Sequence, residues 1–510
     1  MNLALLSATA RTAAFEVVDA AGPDLDAPLI VRLNGEPVLE TTAAVFALNE
    51  LNPDTGYAVQ AAEGPAVAFR TRAETAALDV RLFGAVGDGT HDDGPAVQAA
   101  IAACPAGGTV ILDPGVWASG PLFLKSGVTL YLRPGATLRG HAERARYPIL
   151  PGRIERPGRP DLFLGSWEGD PDDCFASLLT GLDVADAAIV GGGVIDGNAA
   201  AGDWWQWPKE KRPARRPRTL FLNGCRDVLV QGVTIRNSPS WTIHPLFSRG
   251  LRFHGLIIEN PKDSPNTDGL DPESCEDVDI VGVRISVGDD CVAIKSGKIL
   301  LGRLLKRPSR TIRIRRCLME YGHGAVVIGS EMAGGVGDVE ISHCLFRKTD
   351  RGLRIKTRRG RGEDGIIDGI HLHDVRMEDV ADPLVVNAFY YCDADGKSDY
   401  VQDRRPLPVD AGTPTVRNIR FERVEATGVH HAAAYVLGLP ERPVAGLIVR
   451  DVTVSFAADA EPAPPAMACG VEPLVRAGFV FINVEGPIVE RVSAPGVAGP
   501  LLAFPGDQDP

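Results

Sequence analysis

Residues 266–297 read NTDGLDPESCEDVDIVGVRISVGDDCVAIKSG: Asp268 and Asp271 precede an alternating apolar run, Asp289 and Asp290 follow it, and Lys295 comes near the end. Close carboxylates cannot both ionise freely, so one is driven toward the neutral acid while the other stays an anion. That split puts a proton donor and a proton acceptor at one place. Glycosidic cleavage asks for the same pair, an acid for the leaving oxygen and a base for water. In a regular strand Asp289 and Asp290 would face opposite ways, and Gly288 permits the bend that turns both to one site. Further on, His323 stands between two glycines, and Arg354 and Lys356 flank Ile355. Alternation sends Ile355 inward and leaves both cations on the outer face, where a guanidinium can grip a carboxylate bidentately. Acids that cleave, with cations beside them, suit a sugar carrying its own carboxylate.

An internal repeat supplies the elements that must gather these residues. A Val-x-Ile-x-x-Val-x-Ile pattern starts at Val228, Leu251, Val278, Ile312, Val339, Ile370, Ile419 and Leu447, with looser copies at Val128 and Ala188. From Val228 to Ile370 the steps are 23, 27, 34, 27 and 31 residues. These are too short for repeated strand-helix-strand units, and they match one coil of a solenoid. Period-2 alternation makes each copy a strand. The predicted fold is all-β, a right-handed parallel β-helix whose coils stack about 4.8 Å apart. Counted from the start of each copy, Asp289 and Asp290 lie at offsets 11 and 12, His323 at 11, Arg354 and Lys356 at 15 and 17, and Asp268 at 17. Turn chemistry alone accounts for a single TDG or GDD, but not for four such features in phase on adjacent coils.

The same frame orders the rest of the chain. Cys317 and Cys344 lie five residues into their copies, and Cys225 and Cys275 three residues before theirs, which predicts buried, stacked thiols. Nine cysteines without a CxxC pair speak against a disulfide framework or a zinc site. FGAVGDGTHDDGPAVQAAIAAC lacks the order of a phosphate loop and predicts a capping helix over about 92–104, with Thr90 as N-cap and Val97, Ala100 and Ile101 on its apolar face. The β-helix is expected over 76–500, with 501–510 as a tail. Segments 141–177, 199–218 and 382–413 interrupt the repeat and are expected as loops on the binding face. The second of them carries Trp204, Trp205 and Trp207 among basic residues, a composition suited to sugar platforms and also to base stacking in single-stranded nucleic acid. Residues 1–75 alternate in short runs, and LNPDTGYAV at 51–59 resembles a strand corner of fibronectin type III domains, which implies an N-terminal β-sandwich. The chain carries a formal charge of −13, yet Lys295 to Arg361 holds 17 Lys and Arg against 5 Asp and Glu. A regional surplus of that kind steers an anion, nucleic acid being one such anion and an acidic sugar polymer another. The charge alone does not choose, and the partner expected from the whole sequence is the sugar polymer, with no nucleic acid. No apolar run reaches the ~20 residues of a membrane span. The start lacks a basic n-region, so no signal peptide is expected here and both cytoplasm and periplasm stay open.

NTDGLD (266–271), GDDC (288–291), GHG (322–324) and RIK (354–356), in this order, resemble the four signature motifs of the polygalacturonases, family 28 of the glycoside hydrolases. The resemblance runs over most of 78–455. It implies hydrolysis of α-1,4 bonds between galacturonates with inversion, and neither metal nor cofactor. By position it implies Asp289 as general acid, Asp268 and Asp290 as activators of water, and His323 as an influence on the acid's protonation. Arg354 and Lys356 would bind the substrate carboxylate, with Asn266 a further substrate contact. Secreted endo-acting members often pair the Cys of GDDC with one about sixteen residues on; here that position is Arg307, so Cys291 is expected to stay reduced. The front domain and the large insertions resemble the bacterial exo-acting branch. Rival readings are a rhamnogalacturonan or xylogalacturonan hydrolase, a calcium-dependent pectate lyase, and a non-catalytic polyanion-binding β-helix. Oligomeric state is left open.

Overall fold

In the computed structural model, which describes residues 1–505, the repeat copies fall into register as parallel strands. Val228 pairs with Leu251, Leu251 with Val278, Val278 with Ile312, Ile312 with Val339, Val339 with Ile370, and Ile370 with Ile419. The apolar positions of successive coils therefore stack in one continuous interior column, which is the core of a right-handed parallel β-helix. Cys225, Cys275, Cys291, Cys317 and Cys344 lie in that column, and every cysteine is free.

The copies at Val228, Leu251, Val278, Ile312 and Val339 are each two strands rather than the one their alternation predicts, whereas those at Ile370 and Ile419 run through as single strands, Ile366–Glu378 and Thr415–Val429. In the first, Arg226–Gln231 ends at Gly232 and Thr234–Arg236 follows. The corner residue is left-handed in every coil: Gly232 (φ 74°), Gly255 (59°), Gly282 (64°), Arg316 (53°), His343 (53°) and Asp374 (54°). One left-handed residue redirects the chain without interrupting the apolar pattern, so the sequence shows no break there. Glycine at 282 has a second cause. A Cβ on Gly282 would stand 2.3 Å from Cβ of Val45, which belongs to the N-terminal unit docked on that edge. One coil later the corner is Arg316, whose guanidinium instead bonds Glu16 at 2.7 Å.

That N-terminal unit is a β-sandwich of one three-stranded and one four-stranded antiparallel sheet. Phe15, Val31, Phe46, Val59 and Phe69 form its separate core. The third wall of the β-helix consists of a four-stranded and a seven-stranded parallel sheet. Single bridges of Leu270 to Ile243 and to Val292 join them. This joint lies where the acids are.

Two details differ from expectation. The capping helix, Gly94–Ala103, buries Val97, Ala100 and Ile101 as predicted, but Thr90 is not its N-cap. Thr90 bonds Asp88, while Asp93 takes the cap position and turns its carboxylate back to the amides of Val86 and Gly87. The proline of the first turn fixes the start instead. The expected tail also begins too early, because Leu502–Ala503 pairs with Phe479 and Val480 as the last strand of the seven-stranded sheet. Residues 506–510 lie outside the described part. Among the described residues no helix is long and apolar enough to cross a membrane.

Candidate active site

The strand Arg284–Val287 stops at Gly288, and Asp289 and Asp290 occupy the bend before Val292–Ile294 begins. The amide of Asp290 bonds the Asp289 carboxylate at 3.0 Å, which folds the two side chains toward the same space. Asp268 comes from the preceding coil. The Gly269 amide donates to the Asp290 carbonyl, setting Asp268 beside Asp290. One oxygen from each of Asp268, Asp289 and Asp290 lies within 4.8 Å of the other two. The sequence offset of Asp268 is larger than that of Asp290 only because residues 261–265 form an extra loop ahead of NTDG.

His323 belongs to the next coil. Its amide bonds the Asp289 carbonyl at 3.1 Å, and its Nδ1 is 3.9 Å from the Asp289 carboxylate. Arg354 and Lys356 lie on the strand Arg351–Lys356, both nearly buried, with Ile355 in the core between them. Lys356 Nζ donates to Asp290 at 2.7 Å, and Arg354 stands 3.7 Å from the same carboxylate. Asn266 is turned by a left-handed backbone (φ 55°), and its Oδ1 accepts from the buried Arg216 at 2.7 Å. The structure thus brings all seven expected residues to one flank: Asn266, Asp268, Asp289, Asp290 and Lys356 line a single cleft, and His323 and Arg354 adjoin Asp289 and Asp290 beside it.

The charges divide as adjacent carboxylates should. Burial, reinforced by the Asp290 charge, pushes Asp289 above the usual carboxylate range. Burial acts on Asp290 in the same sense, but Lys356 and Arg354 outweigh it and hold Asp290 below that range. Asp268 is pushed well up by burial and by Asp271 and Asp289.

The residue reading missed a second row of charges beneath the first. Lys295 is buried, with Glu331 at 3.3 Å, Asp271 at 3.6 Å and Asp268 at 3.9 Å. Burial works against its charge, and these acids more than restore it. The signal was present in the numbering, since Lys295 and Lys356 share an offset of 17 in their copies. They follow Ile294 and Ile355, which lie on one line of paired positions through Ile328. No comparable signal marked Glu331.

All three insertions reach the site, as expected of solenoid insertions. Glu168 from the first, Lys209 from the second, and Tyr390, Cys392 and Asp393 from the third line the cleft together with Trp241. Lys209 bonds Glu168 at 2.9 Å, and Lys298 lies 3.7 Å from Asp170 and 3.3 Å from Asp393, so the insertions are tied to one another. The expected tryptophan platforms differ. Trp204 is wholly buried, edge-on to Tyr147 and Phe175, and forms the insertion's own small core. Trp205 donates to the Ser238 carbonyl, and the Trp207 ring is covered by Arg212. A long insertion must bury something to hold a shape, and these rings serve that need.

The chain matches the family model "Glycosyl hydrolases family 28" over residues 165–469. It is 31% identical over 391 residues to a probable polygalacturonase of Vitis vinifera, covering 75% of each chain. To an exo-poly-alpha-D-galacturonosidase of Dickeya chrysanthemi it is 27% identical, covering 72% of this chain and 65% of the relative. A Thermotoga maritima exopolygalacturonase superposes with a TM-score of 0.64 at 27% identity, covering 81% of this chain and 91% of that one. The fold of a Yersinia enterocolitica family 28 exopolygalacturonase is shared over 99% of this chain and 97% of the other, with a TM-score of 0.72 at 18% identity. With the paired acids in place on a parallel β-helix, the conclusion is that this chain belongs to family 28 of the glycosyl hydrolases.

Proposed function

We propose that this protein hydrolyses α-1,4 bonds between galacturonate residues, acting from a chain end and with inversion. The observation that carries the reading is the convergence of Asp268, Asp289 and Asp290, one oxygen of each within 4.8 Å of the others, with Lys356 2.7 Å and Arg354 3.7 Å from Asp290. Asp289, kept protonated, serves as general acid to the glycosidic oxygen. Asp290 and Asp268 take a proton from water on its way to the anomeric carbon. His323, at 3.9 Å, adjusts the charge around Asp289. Arg354 and Lys356 seat the carboxylate of the cleaved sugar, with Asn266 contacting substrate from the cleft lining.

Chain-end action is supported by the three insertions tied together beside the acids, because a walled cleft admits a terminus and excludes a continuing polymer. Incubation with polygalacturonate and short oligomers tests this directly. A single product size in the first minutes is expected by chromatography, and a ladder of sizes would refute chain-end action. Proton NMR of the same early product reads the stereochemistry. Inversion of an α bond gives the β anomer, and an α product would show retention, which carboxylates closer than about 5.5 Å ordinarily favour.

The clustered oxygens of Asp268, Asp289 and Asp290 also have a spacing at which a divalent cation could be shared, as the lyase reading requires. Three cations, Lys295, Lys356 and Arg354, already face these acids, which favours the hydrolase. Activity is expected to survive a chelator and to yield no ultraviolet-absorbing unsaturated product.

A further inference from the structure

Asp271, the last residue of NTDGLD, is fully buried, neither of its carboxylate oxygens accepts from a nitrogen or hydroxyl donor, and its one side-chain hydrogen-bond partner is the Asp268 carboxyl. Its nearest cation is Lys295 at 3.6 Å, and that ammonium also serves Glu331 at 3.3 Å and Asp268 at 3.9 Å. One positive charge thus faces three acids.

The other surrounding groups do not remedy this. Asp289 and Asp290 approach from the bend after Val287, and Asp290 is already engaged by Lys356. Arg218 and Arg216 approach from the segment before Leu220–Asn223, and Glu273, bonded to His244, lies beyond. An anion in a dry site without a donor is far costlier than the neutral acid, so the local structure favours a proton here. Asp268 differs, because it lines the cleft. Burial pushes both carboxyls well above the usual range, as expected of two acids that hold a proton between them.

We propose that Asp271 is a positioning residue that carries the proton of the Asp268–Asp271 pair and donates its O–H to Asp268, keeping Asp268 an anion aimed at the attacking water. The inference deepens the proposed function and rests on Asp268 acting there as a base. During cleavage the water O–H bond breaks and its proton passes to Asp268 or Asp290. The new bond forms from water oxygen to the anomeric carbon, the glycosidic C–O bond breaks, and the leaving oxygen takes the Asp289 proton. The Asp271 proton does not leave. Solvent returns the transferred proton to Asp289 once product departs.

Two variants of the full chain test this, each checked for folding by circular dichroism and assayed on oligogalacturonate over a pH series. Asp271→Leu cannot donate, and its kcat is expected to fall at least about 100-fold with KM little changed. Asp271→Asn can donate an amide N–H, and is expected to recover kcat to within about fivefold with the acid limb of kcat/KM unmoved. A leucine variant that turns over like the parent overturns the proposal. So does an asparagine variant whose acid limb moves down by about one pH unit or more, since that shift reports removal of an anion beside Asp268. Should the leucine variant not fold, the limb of the asparagine variant decides alone. Asp268→Asn run in parallel separates the two levels. Parent-like turnover there removes Asp268 as a base, whereas its loss alongside an overturning Asp271 result removes only this inference.

Discussion

Asp289→Asn is expected to lower kcat by on the order of 10³-fold or more while leaving oligogalacturonate affinity within a small factor of the parent. The amide keeps the shape of the bend, including the acceptor for the Asp290 amide now 3.0 Å from the carboxylate. It has no proton to give to the leaving oxygen. Because Arg354 and Lys356 are untouched, the partners proposed for the substrate carboxylate remain in place. Stopped assays with product chromatography, and calorimetric titration of the inactive variant with oligogalacturonate, separate the two quantities. Parent-like turnover would remove Asp289 as the acid. A binding module without catalysis predicts unchanged affinity and nothing else to lose, so measurable parent turnover already speaks against it. The parent itself should show an alkaline limb set by Asp289. Burial and the Asp290 charge raise that group above the usual carboxylate range, so activity persists upward until Asp289 deprotonates.

Lys356→Met is the second large effect, because one ammonium has two tasks. It holds Asp290 ionised from 2.7 Å, and it faces the space where a substrate carboxylate would sit. Methionine keeps much of the volume and removes the charge, and kcat/KM is expected to fall by roughly 10²- to 10³-fold, a loss of about 3–4 kcal/mol in transition-state stabilisation. The sign of the pH change is also fixed. Asp290 now lies below the usual carboxylate range because Lys356 and Arg354 outweigh burial, so losing Lys356 raises it. Its proton then stays on to higher pH, and the acid limb of kcat/KM moves upward. An unmoved acid limb would mean that Asp290 is not the ionised base. The variant should also be less stable, since the buried Asp290 keeps only Arg354, 3.7 Å away, as a close counter-charge.

The two predictions treat one bend as two chemical species, and the β-helix explains how that is possible. Residues two coils apart in sequence, such as Asp290 and Lys356, become neighbours along one wall, each delivered by a different strand end. Asp268, Asp290 and Lys356 lie on three coils, yet their side chains meet in one cluster. A solenoid can set the local charge of a site by choosing the residue at one position of one rung, with the backbone unchanged. Lys295 and Lys356 illustrate this as cations at matched positions. The tied insertions then decide what reaches the cluster. Their tryptophans maintain the loops rather than touch the cleft, which instead has Trp241 and Tyr390 at its walls.

By itself the sequence determined the coil count near the site, the inward and outward assignment of each strand residue, and which acids and cations share a flank. Those follow from periodicity, because a period-2 pattern repeated at coil length admits one stacking that buries every apolar position. It also determined that Cys225, Cys275, Cys317 and Cys344 are interior. Only the tertiary structure decided where the corners fall, since a left-handed Arg316 or His343 looks like any other polar residue in a strand. It alone decided that Lys295 and Glu331 lie buried together under the acids, because that pairing crosses coils and depends on a loop of unpredictable length between them. The tying of the insertions, and the fate of Trp204, belong to the same class. Long-range contacts between irregular segments have no period to read, and their geometry is set by packing against surfaces that exist only once the coils have formed.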